Sequence, residues 1–390
     1  MKKHNLISLL ALVFALFSFS LFLPPKREQA KAENVESLNI ECESAILYDA
    51  KSKTVIFSKN EDKKLPIASM TKLMTLLIVF DEIEQGKLSL EQKVKISQNS
   101  ADTEGSEAFL DAKSEYPLSE LIMTVIVCSA NDSAVALAET IAGSEVNFAK
   151  MMNKKAKQLG LKNTNFINAT GLPAIDHYSS AKDVSIIYSQ ICDNPIYKKY
   201  SKIWTTKLVH PSGRETDIVN TNRLIRTFEG CDSGKTGFTK EAGYCLSASA
   251  TRGDMRLVSV IIGAKNSKDR FNAVANMFNF GFDNYENKVV LSCKTPIFTA
   301  MVKNSKTKEV ELFAKEDFVK FLKKGEDFAY SLKYDQRIIK APIRAKESVG
   351  KLYVLDSNNI VVFETELVAK EDVKKIKIGE ILHKLYENFA

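Results

Sequence analysis

A serine and a lysine stand three residues apart at Ser69 and Lys72, in a stretch that reads as the start of a helix. Positions i and i+3 share one helix face, so the Lys72 amine can reach the Ser69 hydroxyl. A serine hydroxyl is a weak nucleophile that needs an adjacent base, and a lysine can be that base only when it is neutral. Partial burial and a second nearby cation would lower the pKa of Lys72 in this way. The pair is therefore a candidate nucleophile and base.

The Ser-x-x-Lys spacing by itself is weak, because it recurs by chance at Ser179, Ser305 and Ser348. The order of three motifs is more specific. Ser69-x-x-Lys72 opens a helix, Ser129-Ala130-Asn131 lies in an apolar helical stretch, and Lys235-Thr236-Gly237, found once in the chain, leads into a strand hairpin. This order resembles the superfamily of serine β-lactamases and penicillin-binding proteins.

Longer segments narrow the resemblance. They are Leu65–Thr75, Gly171–Pro173, His177–Asp183 and Lys235–Tyr244, and they look like the low-molecular-mass D-alanyl-D-alanine carboxypeptidases, the S11 serine peptidases. The resemblance covers roughly Leu38–Asp283. It implies an α/β (α+β) domain of the serine β-lactamase/transpeptidase type, with an antiparallel sheet flanked by helices. The region that follows fits the family's usual small all-β C-terminal domain.

The resemblance also implies roles for individual residues. Ser69 would be acylated, Lys72 would take its proton, and Ser129 would pass a proton to the leaving amine. The backbone N–H groups of Ser69 and Phe238 would form the oxyanion hole. The residues expected to bind substrate, through its amide, its terminal carboxylate or a close backbone approach, are Asn131, Lys235, Thr236, Gly237, Phe238 and Arg270.

The chain departs from the family pattern at two positions. Phe238 stands where some relatives carry a polar residue, which leaves substrate preference open there. Thr221 stands where some relatives place an arginine, and Arg223 or Arg226 are candidates to compensate. Two neighbours of the motifs are expected to be structural: His177 as a loop residue, and Asp132 on a helix surface.

The reaction implied is removal of the terminal D-alanine from a peptidoglycan stem peptide through an acyl-enzyme, with penicillins as covalent inhibitors and with no cofactor. A β-lactamase is one alternative, but it would need a deacylating base, and 168–183 contains no glutamate. A catalytically silent wall-binding or β-lactam-sensing protein is another. The intact motif residues argue against it.

Composition and charge limit the remaining classes. The chain has 390 residues, of which 45% are hydrophobic and 26% charged, which is typical of globular proteins. Residues 1–32 read as a signal peptide: Lys2 and Lys3 precede the apolar run Leu6–Leu23, and Ala30-Lys31-Ala32 is a cleavage pattern. An uncleaved anchor is the alternative. In either case the rest is extracytoplasmic, secreted or attached to the outer face of the cytoplasmic membrane.

Nucleic-acid and metal chemistry find no support in the sequence. The formal charge is +7, and removing the leader with its net +4 leaves a mild, scattered excess that does not indicate nucleic-acid binding. No H-E-x-x-H or C-x-x-C motif is present, so no metal site is predicted. The six cysteines are too few for a disulfide scaffold.

The elements that must position these residues follow from periodicity. A hairpin is predicted over Ser44–Phe57, helices over Ser69–Gly86, Leu118–Ala142, Val146–Leu159, Lys182–Ile191 and Asp269–Asn284, and a second hairpin over Gly243–Gly263. The catalytic domain is placed at 33–287. A β-rich domain at 288–368 follows, with short runs at Val289–Leu291, Pro296–Met301, Ile338–Pro342, Lys351–Leu355 and Ile360–Phe363.

The last segment, 369–390, is predicted to be an amphipathic helix. Its apolar residues recur at helical spacing: Ile378, Ile381, Leu382, Leu385, Tyr386 and Phe389. It is too short and too charged to span a bilayer, but it could lie in the membrane interface. Packing against the β domain is the alternative.

Overall fold

The computed structural model describes residues 38–336, 339–377 and 379. The predicted signal peptide and most of the predicted C-terminal helix lie outside these residues. The first strands are β1 (Ser44–Asp49), β2 (Val55–Lys59), β3 (Lys93–Lys95), β4 (Glu115–Pro117), β5 (Thr205–Val209), β6 (Glu215–Val219), β7 (Cys231–Thr239), β8 (Gly243–Arg252) and β9 (Met255–Ala264). The helices are α1 (Lys72–Glu84), α2 (Gln98–Ala101), α3 (Leu118–Val127), α4 (Asn131–Ala142), α5 (Glu145–Gln158), α6 (Ala181–Ile191), α7 (Pro195–Ser201), α8 (Leu224–Thr227) and α9 (Ser267–Asn284).

A five-stranded antiparallel sheet, in the order β2-β1-β9-β8-β7, forms the centre of this part of the chain. Alternate residues of β9 serve its two faces, as the two-residue period of a strand requires. Val258 and Val260 pack with the helices of the larger core, whereas Leu257 and Ile261 pack against α9. The predicted antiparallel sheet flanked by helices is therefore confirmed.

Both predicted hairpins of the sheet are present, as β1–β2 and β8–β9. The predicted helices over 146–159, 182–191 and 269–284 match α5, α6 and α9 to within about two residues at most ends. Several elements were missed. They include β7, which itself carries the Lys-Thr-Gly motif, the β5–β6 hairpin, α7, and the short elements β3, α2, β4 and α8. β7 lies at the edge of the sheet and pairs only with β8.

The two predicted long helices each depart from a regular α-helix at a motif. The first begins as a 3₁₀ turn, Ala68–Thr71, before α1 starts at Lys72. The stretch predicted as one helix over 118–142 breaks into α3 and α4 around Ser129, whose φ of 68° is left-handed. Hydrophobic periodicity continued through the break and concealed it.

The C-terminal part is all-β, as predicted. Its strands are β10 (Tyr285–Leu291), β11 (Phe298–Met301), β12 (Glu309–Ala314), β13 (Phe318–Lys323), β14 (Ser331–Gln336), β15 (Ser348–Leu355) and β16 (Val361–Ala369). Five of them form the sheet β11-β12-β16-β15-β14 around an apolar core of their own. The predicted strand at Ile338–Pro342 is wrong, because the described part of it contributes only a single bridge, from Lys340 to Lys303.

Residues 370–377 run along this β domain without forming a helix. Val373 is buried and pairs with Ile343, and the Ile376 N–H donates to the Asn304 carbonyl. Across the described ranges all six cysteines are free, and no cluster of metal-ligating side chains occurs. No helix in those ranges has the length and apolar content needed to cross a bilayer.

A close crossing joins the segment 168–174 to the 3₁₀ turn. Gly171 has φ of 84°, and a Cβ atom there would lie 1.9 Å from the Ala68 carbonyl oxygen. Any side chain larger than hydrogen would push this loop away from the turn that carries Ser69.

We expect Gly171→Ala to lower the free energy of unfolding far more than Gly160→Ala, measured by urea denaturation. Gly160 also has a positive φ, of 71°, but nothing lies within 4 Å of its would-be Cβ. The control should cost only about 1 kcal/mol, from the backbone conformation alone. Equal losses in the two variants would contradict the close crossing.

Candidate active site

The Lys72 side chain is completely buried and is surrounded by three neutral oxygen atoms. Its Nζ lies 2.9 Å from Ser69 Oγ, 2.6 Å from Asn131 Oδ1 and 2.8 Å from the Thr170 carbonyl oxygen. Burial, and after it the charge of Lys235, hold the pKa of Lys72 well below its usual value. The arrangement gives Ser69 an adjacent amine that is able to accept a proton.

A second buried lysine faces Ser129. Lys235 Nζ donates to Ser129 Oγ at 2.7 Å and to the Thr236 carbonyl at 2.9 Å. Burial lowers the pKa of Lys235 to about 7. The left-handed backbone of Ser129, at the break between α3 and α4, removes its hydroxyl from the helix surface, and Lys235 reaches it there from β7.

Asn131, the first residue of α4, is fixed by the loop before α3. Its side-chain Nδ2 donates to the Glu104 carbonyl and its backbone N–H to the Ser106 carbonyl, both at 2.6 Å. The amide nitrogen is thereby engaged, so Oδ1 is the atom that faces Lys72. A Cβ at Gly105 would lie 2.7 Å from Nδ2, so this contact also depends on a glycine.

The loop 168–174 contributes a group that sequence reasoning missed. Its Thr170 carbonyl is a hydrogen-bond acceptor for Lys72, and Glu145 at the start of α5 accepts the Ala169 N–H at 3.0 Å. No side-chain pattern in a sequence can reveal such a carbonyl, because any residue type supplies one. Glu145 could be found only by knowing that α5 begins beside this loop.

Gly237 lets β7 press against the 3₁₀ turn. A Cβ there would lie 2.8 Å from the Ile67 carbonyl oxygen and 3.2 Å from the Ser69 backbone nitrogen. The sequence led us to expect that Gly237 allows the substrate backbone to approach closely. In the structure it is the protein's own backbone, at Ile67 and Ser69, that lies close to Gly237. This contact brings the strand carrying Phe238 beside the Ser69 N–H, as an oxyanion hole made from the two would need.

Thr236 follows Lys235 in β7, at the edge of the sheet. Its Oγ1 donates to Thr221 Oγ1 at 2.8 Å, so Thr221 is part of the site. The two arginines considered as compensation for Thr221 have other partners: Arg223 stacks on Phe271, and Arg226 lies over Trp204.

Arg270, on α9, lies against the rear of β7 and is buried. Its Nη1 lies 3.3 Å from the Gly237 carbonyl oxygen and 3.4 Å from that of Cys245, long contacts that satisfy the cation poorly. The guanidinium is stacked on Phe271 and Tyr244, and Tyr244 in turn contacts the ring of Phe238 at 4.4 Å. Burial lowers the pKa of Arg270 to about 10, and it remains a cation at neutral pH.

Two neighbouring residues were expected to be structural, and one was misplaced. His177 is buried, with Nδ1 accepting the Ile167 N–H and Nε2 facing Thr71 Oγ1 at 2.8 Å. A structural role in a loop was predicted, and its contact with the 3₁₀ turn through Thr71 was not. Asp132 was expected on a helix surface, which is wrong: it is fully buried and accepts the backbone N–H groups of Ala108 and Leu110.

The site therefore combines a serine hydroxyl, a depressed-pKa amine, a second hydroxyl and a second buried cation. All the motif residues predicted from sequence lie in or beside this arrangement. Such a set can activate a serine for attack on a carbonyl, protonate a leaving group and bind an anionic end of the substrate.

Comparisons with known proteins agree with this chemistry. The family model for D-alanyl-D-alanine carboxypeptidase matches residues 29–266, and that for the C-terminal domain of penicillin-binding protein 5 matches 285–375. The D-alanyl-D-alanine carboxypeptidase DacF of Bacillus subtilis is 38% identical over 357 residues, covering 91% of each chain.

Solved structures show the same fold. Penicillin-binding protein 5 of Haemophilus influenzae aligns over 86% of this chain and 98% of its own, with 31% identity and a TM-score of 0.67. Penicillin-binding protein D2 of Listeria monocytogenes, solved in the ampicillin-bound form, aligns over 63% of this chain and 99% of its own, with 29% identity and a TM-score of 0.57.

Proposed function

The chain belongs to the D-alanyl-D-alanine carboxypeptidase family of serine hydrolases, the S11 penicillin-binding proteins, and on that premise we propose that Ser69 is its nucleophile. The substrate is a peptidoglycan stem peptide that ends in D-alanyl-D-alanine. The observation that carries the assignment of Ser69 is the 2.9 Å contact between its Oγ and a fully buried lysine amine.

In the acylation step, Ser69 Oγ attacks the carbonyl carbon of the penultimate D-alanine while Lys72 takes the hydroxyl proton. Lys72 suits this role because burial and Lys235 favour its neutral form. The backbone N–H groups of Ser69 and Phe238 would stabilise the oxyanion. Asn131, whose Oδ1 accepts from Lys72, keeps the amine directed at Ser69.

Collapse of the tetrahedral intermediate breaks the peptide bond and requires a proton on the departing amine. We assign this transfer to Ser129, whose hydroxyl is hydrogen-bonded to Lys235. The proton that Lys72 took from Ser69 then replaces the one that Ser129 gives up, so Lys72 becomes neutral again. The terminal D-alanine then leaves, and a water molecule hydrolyses the ester on Ser69. In the second step the neutral Lys72 takes a proton from that water and returns a proton to Ser69 Oγ as the ester bond breaks.

The terminal carboxylate is assigned to Lys235, Thr236 and Thr221, with Arg270 contributing its charge from behind Gly237. Thr221 supplies a hydroxyl where some relatives have an arginine. The buried cations Lys235 and Arg270 are therefore the charges available to the carboxylate in this site.

The alternative of an efficient β-lactamase is less well supported. Glu145 does reach the loop 168–174, but one of its carboxylate oxygens is engaged by the Ala169 N–H, and the loop presents a carbonyl to Lys72. We propose slow deacylation after penicillin binding, as expected of a penicillin-binding protein.

Peptidoglycan lies outside the cytoplasm, and members of this family act on it there. We propose that residues 1–32 are a cleaved signal peptide, that the catalytic domain spans 33–287, that the β domain spans 288–368, and that the segment after it binds a membrane surface. The extended path of 370–377 limits any anchoring helix to the residues beyond it.

We expect Ser69→Ala to abolish both D-alanine release and labelling by a fluorescent penicillin, because both need the covalent step. The matched control is Ser348→Ala, which removes an exposed serine of another Ser-x-x-Lys sequence. Release is measured on a pentapeptide by mass spectrometry. Penicillin labelling retained in Ser69→Ala would refute the assignment.

The pH dependence of kcat/KM should be bell-shaped. Activity should fall at low pH, where Lys72 becomes protonated and can no longer act as base. It should also fall as the pH rises through the pKa of Lys235, about 7 in the free enzyme, because the charge that captures the carboxylate is lost.

In Lys235→Arg the alkaline limb should move beyond the measured range while the acidic limb stays, because arginine keeps its charge. Lys240→Arg, at an exposed position just after β7, is the control. If the alkaline limb is unchanged in Lys235→Arg, the limb does not arise from deprotonation of Lys235. This conclusion holds even if the substitution lowers the maximal rate.

The mature protein, from residue 33, should pellet with lipid vesicles, and a form ending at Lys377 should not. This truncation spares Val373 and Ile376, which pack on the β domain, so peptidase activity should remain. The net tail charge is small, so apolar burial must carry the binding. Leu382→Glu with Leu385→Glu in the full-length form should reproduce the loss. Equal pelleting of all forms would contradict the anchor.

A further inference from the structure

An aromatic side chain projects from the loop that holds Asn131. Phe109 is 57% exposed, and its φ of 58° is left-handed, a conformation that bulky residues rarely adopt. Backbone strain of this kind persists only where the surrounding structure over-determines it, and it concentrates at functional sites.

Two sets of contacts fix this backbone. From the interior, the buried Asp132 carboxylate accepts the N–H groups of the flanking residues Ala108 and Leu110, both of which are themselves buried. From the exterior, Arg214 of the β5–β6 turn donates to the Phe109 carbonyl at 2.5 Å and to Asp111 at 2.8 Å. With both neighbours turned inward, the Phe109 ring is held towards solvent.

The same loop forms a wall of the catalytic cleft. The carbonyls of Glu104 and Ser106 bind Asn131, and a Cβ at Gly105 would lie 3.8 Å from Leu172 on the loop beneath Lys72. The wall therefore stands on the Asn131 side of Ser69, across from β7. A substrate chain would enter between this loop and β7. The residues that precede its scissile bond would then pass along the loop.

We propose that Phe109 is a specificity-determining residue that contacts the side chain of the substrate residue preceding D-alanyl-D-alanine. This inference rests on the proposed function. The chemistry that fits is a long aliphatic side chain ending in an amine. Its methylene groups would cover the exposed ring, and its charge would lie near Glu104 and Glu107 of the same loop, neither of which has an ion-pair partner among the described residues.

The test compares acetyl-L-lysyl-D-alanyl-D-alanine with acetyl-glycyl-D-alanyl-D-alanine, which share the scissile end and differ in that side chain. In Phe109→Gly, kcat/KM for the lysyl peptide should fall about tenfold, mainly through KM, since roughly two methylene groups lose their cover. The glycyl peptide should change less than about twofold. Phe109→Leu should retain part of the preference.

Glycine suits a positive φ, so Phe109→Gly should keep or raise the thermal midpoint, which separates a contact role from a structural one. Val146→Ala, at an exposed apolar residue on α5, is the control and should change neither substrate. Equal losses on the two peptides, or no loss on either, would overturn the inference while leaving the proposed function intact. A wild-type enzyme that releases D-alanine from neither peptide would instead overturn the proposed function.

Discussion

Lys72 and Lys235 are both completely buried, neither has an ion-pair partner among the described residues, and the rest of the site is organised around them. A buried ammonium is costly unless it is paired, and here the hydrogen-bond partners within the described residues are hydroxyl, amide and carbonyl oxygens. Such neutral acceptors orient an amine without stabilising its charge as a carboxylate would. The mutual repulsion of Lys72 and Lys235 adds to the effect of burial. The lysine closer to Ser69 is thereby available as a base.

The backbone near the site is irregular because it must place these neutral acceptors around the two lysine amines. The left-handed conformation at Ala68 begins the 3₁₀ turn that carries Ser69, and that at Ser129 separates α3 from α4. At both places a serine hydroxyl lies within hydrogen-bond distance of a lysine amine. Gly171 allows the loop 168–174, and Gly237 allows β7, to lie close against the 3₁₀ turn that carries Ser69. Strain of this kind is tolerated because α1 and the sheet around it form a large apolar core, which holds the segments in place.

The sequence predicted the regular frame and the motif residues, and it failed where backbone irregularity does the positioning. The β1–β2 and β8–β9 hairpins and α9 follow from hydrophobic periods that packing satisfies directly. The break at Ser129 was invisible because apolar spacing continues across it. The Thr170 carbonyl left no trace in residue types. Asp132 was misjudged because a carboxylate at a helix start suits solvent, whereas its partners are N–H groups of a distant loop.

The edge of β7 limits the size of the leaving group, the part of the substrate that follows the scissile bond. An unpaired edge strand can accept another chain along its whole length, yet here most of it is covered. Asn222 lies over Ser233 and Gly234, and Thr221 over Thr236, so the free edge begins only near Gly237. A substrate aligned with its scissile carbonyl at Ser69 therefore meets Thr221 and Thr236 almost at once beyond the bond to be cut. In the proposed alignment of the substrate, one residue ending in a carboxylate occupies this place, which agrees with removal of a single terminal D-alanine.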